Sequence, residues 1–410
     1  MSQSEPAFEP WLAKLREHVQ VHRYGVGVAQ NYPVAIRRFL RNLKRRRQAI
    51  ETISPSDVEH YLDSLRLKRY RGPFPDHSRR MHRAAIRMLL RLVHGQWPPE
   101  ILPSTAHEHA ARATVTAFDA WMKDLRGLSP STRRHRRAEA YRLLEWIHEH
   151  AKTADTVTVS DIDGYVEWRS ASMRRTSIAE MAATLRAVLR YLHDSGHMRI
   201  DLASLIRGPT TYALEGIPST IRPEDVRRAL GALEQDRSPL GRRDYAIWML
   251  LTSYGLRAGE IRALCLADID WRHERLRIRH TKTGAYTELP LLPEPANALL
   301  NYLRHGRPAT TARAVFLRHQ APYRALSDST SLHGIVTRRL TAVGVVATGK
   351  RGPHALRHAR AVSLLRGGVP LKVIGDVLGH RSERSTLPYL KLATDDLRLV
   401  ALDVPAGVAL

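Results

Sequence analysis

The side chains able to do chemistry crowd into the last third of the chain, in four short stretches. "YGLRAGEIRALCLADID" carries Arg257 and Glu260. An arginine three residues before a glutamate at a helix start can clamp an anion while the carboxylate orients the guanidinium. Taken alone, the same pair is an ordinary surface salt bridge. "HTKTGAY" sets Lys282 in a turn, where a lysine is normally just solvated. "HALRH" supplies His354, Arg357 and His358. His354 and His358 stand one helical turn apart, as two zinc-binding histidines would. Ala355, however, occupies the position where a zinc peptidase needs its glutamate, and no acidic cluster follows. The sequence therefore argues against a metal site. "LGHRSERSTLPYL" brings His380 and, nine residues later, Tyr389. That tyrosine either packs on a helix or uses its phenol as a nucleophile. A phenol of pKa about 10 is protonated at neutral pH, so the second use demands a proton acceptor and electropositive surroundings.

These stretches need elements to hold them. From Ser219 a capped helix start, "STIRPEDVRRALGALE", precedes a long apolar helix pair, "RRDYAIWMLLTSYGLRAGEIRALCLADID". In "RLRIRHTKTGAYTELPLL" apolar and polar residues alternate on both sides of a Lys-Thr-Gly turn, which predicts a β-hairpin. Further helices are predicted to about residue 401, and the polar "RSERST" run reads as a mobile connection to a helix carrying Tyr389. Pro388 suits the first turn of that helix. Cys265, Tyr254, Trp11 and Trp121 read as core residues, and His358 as a group packed or bonded within its helix.

Upstream, residues 206–220, "IRGPTTYALEGIPST", hold two glycines and two prolines without helical periodicity and read as a linker. Before it the chain reads as basic amphipathic helices, with a helix N-cap at Ser54 or Ser56. An internal repeat is visible there. Trp11-Leu12-Ala13-Lys14-Leu15-Arg16 resembles Trp121-Met122-Lys123-Asp124-Leu125-Arg126, Ser56–Tyr61 resembles Ser160–Tyr165, and "IRMLLRLVH" resembles "LRAVLRYLH", all in the same order. "RYRGPFPDHSRR" interrupts the first copy with two prolines, so the duplication is imperfect.

Global properties agree with a polyanionic partner. Lys and Arg total 65 against 40 Asp and Glu, a formal charge of +25, and the cations recur along most of the chain. Such an excess favours phosphate contacts and counterion release. Apolar residues make up 43%, enough for packed cores. A single cysteine excludes an internal disulfide framework. No run of about 18 apolar residues predicts a membrane span, and the N-terminus has no signal-peptide pattern, so an intracellular protein is expected.

Together, "GLRAGEI", "TKTG", "HALRH", "LGH" and a tyrosine nine residues after that histidine resemble the catalytic domain of the tyrosine recombinase/integrase family. The likeness spans about 219–400 and, more loosely, 112–207. It implies that Tyr389 attacks a phosphodiester to form a covalent phosphotyrosine, and that Arg257 and Arg357 hold the non-bridging oxygens. It implies that Lys282 protonates the leaving 5′-oxygen, His354 serves as acid/base, His380 hydrogen-bonds the phosphate and Glu260 orients the arginine and histidine side chains. Neither cofactor nor metal is implied, and no nucleotide-binding motif occurs. The expected fold is mainly α with a small β-hairpin sheet in an α+β catalytic domain. The expected domains are 1–104, a helical DNA-binding module and possible duplicate of the core-binding domain; 112–207, a helical SAM-like core-binding domain; a linker at 208–218; and a catalytic domain with tail at 219–410. The implied partner is double-stranded DNA, gripped by a clamp of helical modules and catalytic domain. The resemblance also implies a homo-tetramer on that DNA, formed by exchange of C-terminal tails, with or without sister recombinases or a DNA-bending protein, in a bacterial cytoplasm. Two rivals keep the same residues: a type IB topoisomerase-like relaxing enzyme, and an inert DNA-binding regulator.

Overall fold

The computed structural model describes residues 6–65, 75–210, 221–280, 284–326, 329–345, 351–379, 385–387 and 389. It divides into two compact units, residues 101–216 in one and residues 1–100 with 217–410 in the other. The described residues are mainly helical, with one three-stranded sheet among them. Among the described residues no helix is long and apolar enough to cross a membrane.

The first four helices are α1 (Glu9–Val21), α2 (Val26–Arg45), α3 (Pro55–Ser64) and α4 (Pro75–His94). Apolar residues at helical spacing, such as Ile36, Phe39, Leu40 and Leu43 on α2, meet Leu12, Leu15, Ile86 and Leu89 in one core. Ser54 caps α3. Its hydroxyl accepts from the Asp57 amide, and the Asp57 carboxylate accepts in return from the Ser54 amide, so two orphan helix donors are satisfied. The unit 101–216 runs α5 (Ala106–Asp124), α6 (Pro130–Glu149), α7 (Val159–Ser170) and α8 (Arg175–Asp194). Its third helix also starts at a reciprocal cap, Thr158 with Asp161. Each third helix buries a tyrosine, Tyr61 and Tyr165. Their partners differ: Tyr61 meets His82 Nδ1 at 3.2 Å, whereas Tyr165 donates to Glu139 Oε1 at 2.7 Å. Trp11 and Trp121 occupy like positions but are half-buried, packing on their cores from the side rather than anchoring them.

After residue 220 come α9 (Pro223–Gln235), α10 (Pro239–Tyr254), α11 (Ala258–Ala263), β1 (Ile269–Asp270), β2 (Arg275–Arg279) and β3 (Tyr286–Pro290). They are followed by α12 (Pro293–His305), α13 (Ser329–Ala342), α14 (Pro353–Arg366) and α15 (Leu371–Val377). α10 is the hub. It is buried almost all round, with Trp248, Ile247, Leu250 and Leu251 fully enclosed, and it packs on α9, α12 and α14. Each such side chain contributes about 1.5–3 kcal/mol of burial. The sheet is antiparallel in the order β1-β2-β3, with Leu276 opposite Leu289 and Ile278 opposite Thr287. β2 alternates strictly: Leu276 and Ile278 face the core, and Arg275, Arg277 and Arg279 face out.

The expected helix pair is a long helix and a six-residue one. The chain leaves α11 at Leu264 for an extended run in which Cys265 bridges Ala314. Cys265 is therefore half-buried rather than in the core. Tyr254 is buried, and its hydroxyl donates to the Pro290 carbonyl and accepts from the Leu292 amide.

Candidate active site

The site is built where α10, α14 and α15 end or begin. α10 stops at Gly255, whose φ of 66° is left-handed. A Cβ there would lie 2.7 Å from Leu378 Cδ2, so the close approach also needs glycine. The freed Gly255 carbonyl accepts from Arg357 Nη1 at 2.7 Å, and Arg357 Nη2 donates to the Leu378 carbonyl at 2.5 Å. Arg357 is thus a buried cation, 2% exposed, held by the carbonyl ends of two helices, where the peptide dipoles favour positive charge.

Two residues beyond Gly255, Arg257 caps α11. Glu260 closes the cap: its Oε2 accepts from the Arg257 amide at 2.7 Å and its Oε1 from Arg257 Nη1 at 2.8 Å. Arg257 Nη2 then reaches the Gly379 carbonyl at 3.1 Å. The two arginines therefore donate to consecutive carbonyls, those of Leu378 and Gly379, in the turn that leads to His380. Glu260 is 2% exposed and takes a third hydrogen bond, from His280 Nδ1 at 2.8 Å. Burial alone would raise its carboxyl. The bonds from His280 and Arg257 outweigh that and hold it below the usual carboxylate range.

Tyr389 is buried in a small cluster with Ala361, Ile374 and Leu378. Its amide donates to the Thr386 carbonyl at 3.0 Å. Burial raises the phenol above its ordinary value, and the charges of Arg357 and Arg257, with a hydrogen bond from Arg357, offset part of that. The phenol is therefore protonated at neutral pH and lies beside a permanent cation. For Arg357, burial and then the charge of Arg257 lower the guanidinium. His354 is exposed near the start of α14, and its ring stacks on His358 one turn later, centroids 4.9 Å apart. The His358 ring lies 5.3 Å from that of Tyr389.

Of the predicted set, the structure brings together Arg257, Glu260, Arg357 and Tyr389, with His354 linked to the tyrosine through His358. Lys282, His380, residues 381–384 of the "RSERST" connection, and Pro388 with the residues after Tyr389 that were expected to continue its helix lie outside the described residues. Their flanks are described. Gly284 donates to the His280 carbonyl and His280 to the Ala285 carbonyl, each at 2.8 Å, on either side of the segment that contains Lys282. Two histidines carry more than the sequence reading gave them. His280 is the histidine that Glu260 holds, and His358 touches the tyrosine as well as its own helix. The β2 alternation points to His280, because it continues the inward positions 276 and 278. Nothing in the sequence pattern points His358 at Tyr389.

Two guanidinium groups and a phenol around one turn make a receptor for an oxyanion, with a nucleophile at its side. Residues 219–395 match the phage integrase family, and residues 115–196 match the phage integrase N-terminal SAM-like domain. The chain is 54% identical over 189 residues to y4gC of Sinorhizobium fredii, covering 46% of this chain and 97% of that protein. It is 35% identical over 314 residues to y4rF of the same organism, covering 75% and 73%. Both are integrase/recombinases by name. A lambda integrase tetramer bound to a Holliday junction superposes with a TM-score of 0.53 at 15% identity, covering 78% of this chain and 88% of that one, a likeness of fold. The chain belongs to the tyrosine recombinase/integrase family. It is a site-specific recombinase, an enzyme that breaks and rejoins DNA.

Proposed function

We propose that the chain cuts each strand of duplex DNA through Tyr389 and reseals it on a new partner. The Tyr389 oxygen attacks phosphorus, a P–O bond to tyrosine forms, and the bond to the 5′-oxygen breaks. The phenolic proton passes to His354, and the leaving 5′-oxygen takes a proton from Lys282. Arg257 and Arg357 bind the non-bridging oxygens, His380 adds a hydrogen bond, and Glu260 fixes Arg257. The second transesterification reverses these transfers with another 5′-hydroxyl, so bond energy is kept in the 3′-phosphotyrosine. The observation that carries the reading is the pair of arginines on consecutive carbonyls beside a buried, protonated phenol.

In this reading residues 219–410 are catalytic and 112–207 grip the core site. Residues 1–104 are a duplicated helical module that extends the DNA contact. Its support is the repeated order of four helices, the capped third helix and the exposed Arg38, Arg41, Lys44 and Arg45 on α2. The active assembly is a homo-tetramer joined through the tails that follow Tyr389, on the nucleoid of a bacterial cytoplasm, with sister recombinases or a bending protein where the site requires them.

Covalent capture tests the reading. Wild-type and Tyr389→Phe protein are mixed with fragmented DNA of the source organism, denatured in detergent, and the tethered DNA sequenced. Adducts from wild type alone, at few positions, are expected. Equal adducts from both proteins would contradict the assignment. Binding by both with no adduct from either would favour an inert DNA-binding regulator.

A further inference from the structure

We infer that His280 is a positioning residue for strand cleavage, locking the hairpin, the Arg257 cap and the turn at Gly379 into one unit; this rests on the function proposed above. The imidazole is 8% exposed. Its Nδ1 lies 2.8 Å from Glu260 Oε1 and its Nε2 2.7 Å from Thr287 Oγ1 on β3. A carboxylate only accepts, so Nδ1 carries a proton toward Glu260. The same Glu260 oxygen holds Arg257 Nη1, and Arg257 Nη2 holds the Gly379 carbonyl. The ring itself lies under Gly379: a Cβ there would come within 2.3 Å of His280 Cε1. The contacts thus close on themselves, from Thr287 through His280, Glu260 and Arg257 to Gly379 and back to His280. The His280 amide and carbonyl meanwhile bond the Ala285 carbonyl and the Gly284 amide, tying its strand to the one that follows.

A histidine serving only to satisfy the core needs none of this convergence. Three segments that each carry a candidate catalytic group touch this one ring. Removing it frees Glu260 to rotate, and Arg257 with it. A displacement of that kind, on the scale of 1 Å, lowers a rate by roughly 100-fold.

Two variants in the full-length protein test the inference. His280→Leu fills the space and removes both hydrogen bonds, while His280→Asn keeps a donor where Nδ1 points. Two readouts are taken: single-turnover formation of the Tyr389 adduct per folded molecule at saturating DNA, and backbone hydrogen exchange of peptides over 256–261 and 374–380. His280→Leu is expected to slow adduct formation roughly 10- to 100-fold. It should speed exchange in both peptides and leave α10 and DNA affinity unchanged, and His280→Asn should recover most of the loss. Exchange unchanged in His280→Leu, or a rate per folded molecule equal to wild type, would overturn the inference. If wild type forms no Tyr389 adduct, the proposed function fails, and the exchange readout still decides whether His280 locks the three segments.

Discussion

Replacing Glu260 with glutamine probes the centre of the site. The carboxylate accepts three hydrogen bonds, two from Arg257 and one from His280, while 2% exposed. Glutamine keeps one oxygen and turns an NH₂ group toward a donor. At least one bond to a charged or polarised partner is lost and one donor is left facing another. Arg257 is itself partly solvated, so its orphaned charge is cheaper than a fully buried one. The net loss is about 2–3 kcal/mol. The effect is pH-dependent with a definite sign. Glu260 titrates below its ordinary value of 4.5 in the folded chain, so its contribution is fully present above that value and lost as pH falls through the folded one. Denaturant unfolding of wild type and Glu260→Gln at pH 7 and near pH 4 reads this difference, because every other titrating group is common to both. A gap that is large at pH 7 and narrows with acid is expected. A gap under about 0.5 kcal/mol at pH 7, or one that acid does not narrow, would refute the reasoning, since that is the range of neutral surface changes.

Arg357→Lys keeps the charge but not the fork that spans the Gly255 and Leu378 carbonyls, so adduct formation should fall roughly 100- to 1,000-fold in a single-turnover assay with DNA binding retained. Gly379→Ala forces a left-handed φ of 63° on alanine and drives its Cβ into His280, and calorimetry should show a loss of at least about 1–2 kcal/mol. A second change, His280→Ala, should relieve the steric part of that loss. Asp244→Ala removes the only carboxylate on the buried Arg243, leaving it the Leu317 carbonyl, and one of two carboxylates on the half-buried Arg339, which it holds at 2.8 and 2.9 Å, and should cost about 3 kcal/mol in denaturant unfolding while adduct formation per folded molecule is unchanged.

Much of this site can be read from residue order. Arg257 with Glu260 is a spacing that a helix cap explains, and the alternation in "RLRIR" dictates both the strand and its inward face. Three features resist such reading, each for a physical reason. α11 ends at Leu264 with no glycine or proline to stop it, because a bridge from Cys265 to Ala314, distant in sequence, outcompetes further helix. The burial of Tyr389 depends on Ile374 and Leu378, from a preceding helix and its C-cap, and the short apolar stretch around the tyrosine does not by itself say what it packs against. His280 looks like part of a solvated turn unless the strand period is continued one step past Arg279, and its partners Glu260 and Gly379 come from remote segments. The repeat in the N-terminal half is visible as apolar spacing, yet the polar partners of Tyr61 and Tyr165 have diverged, His82 in one and Glu139 in the other, and each comes from another helix.

The most direct test of the central claim is chemical location of the adduct. Wild-type protein is trapped on nicked duplex carrying its target site and digested with nuclease and protease, and the modified peptide is sequenced by mass spectrometry. The account predicts a nucleotide joined through its 3′-phosphate to Tyr389, with a free 5′-hydroxyl on the released strand. A 5′-phosphate linkage, or attachment at another tyrosine such as Tyr254, would contradict it.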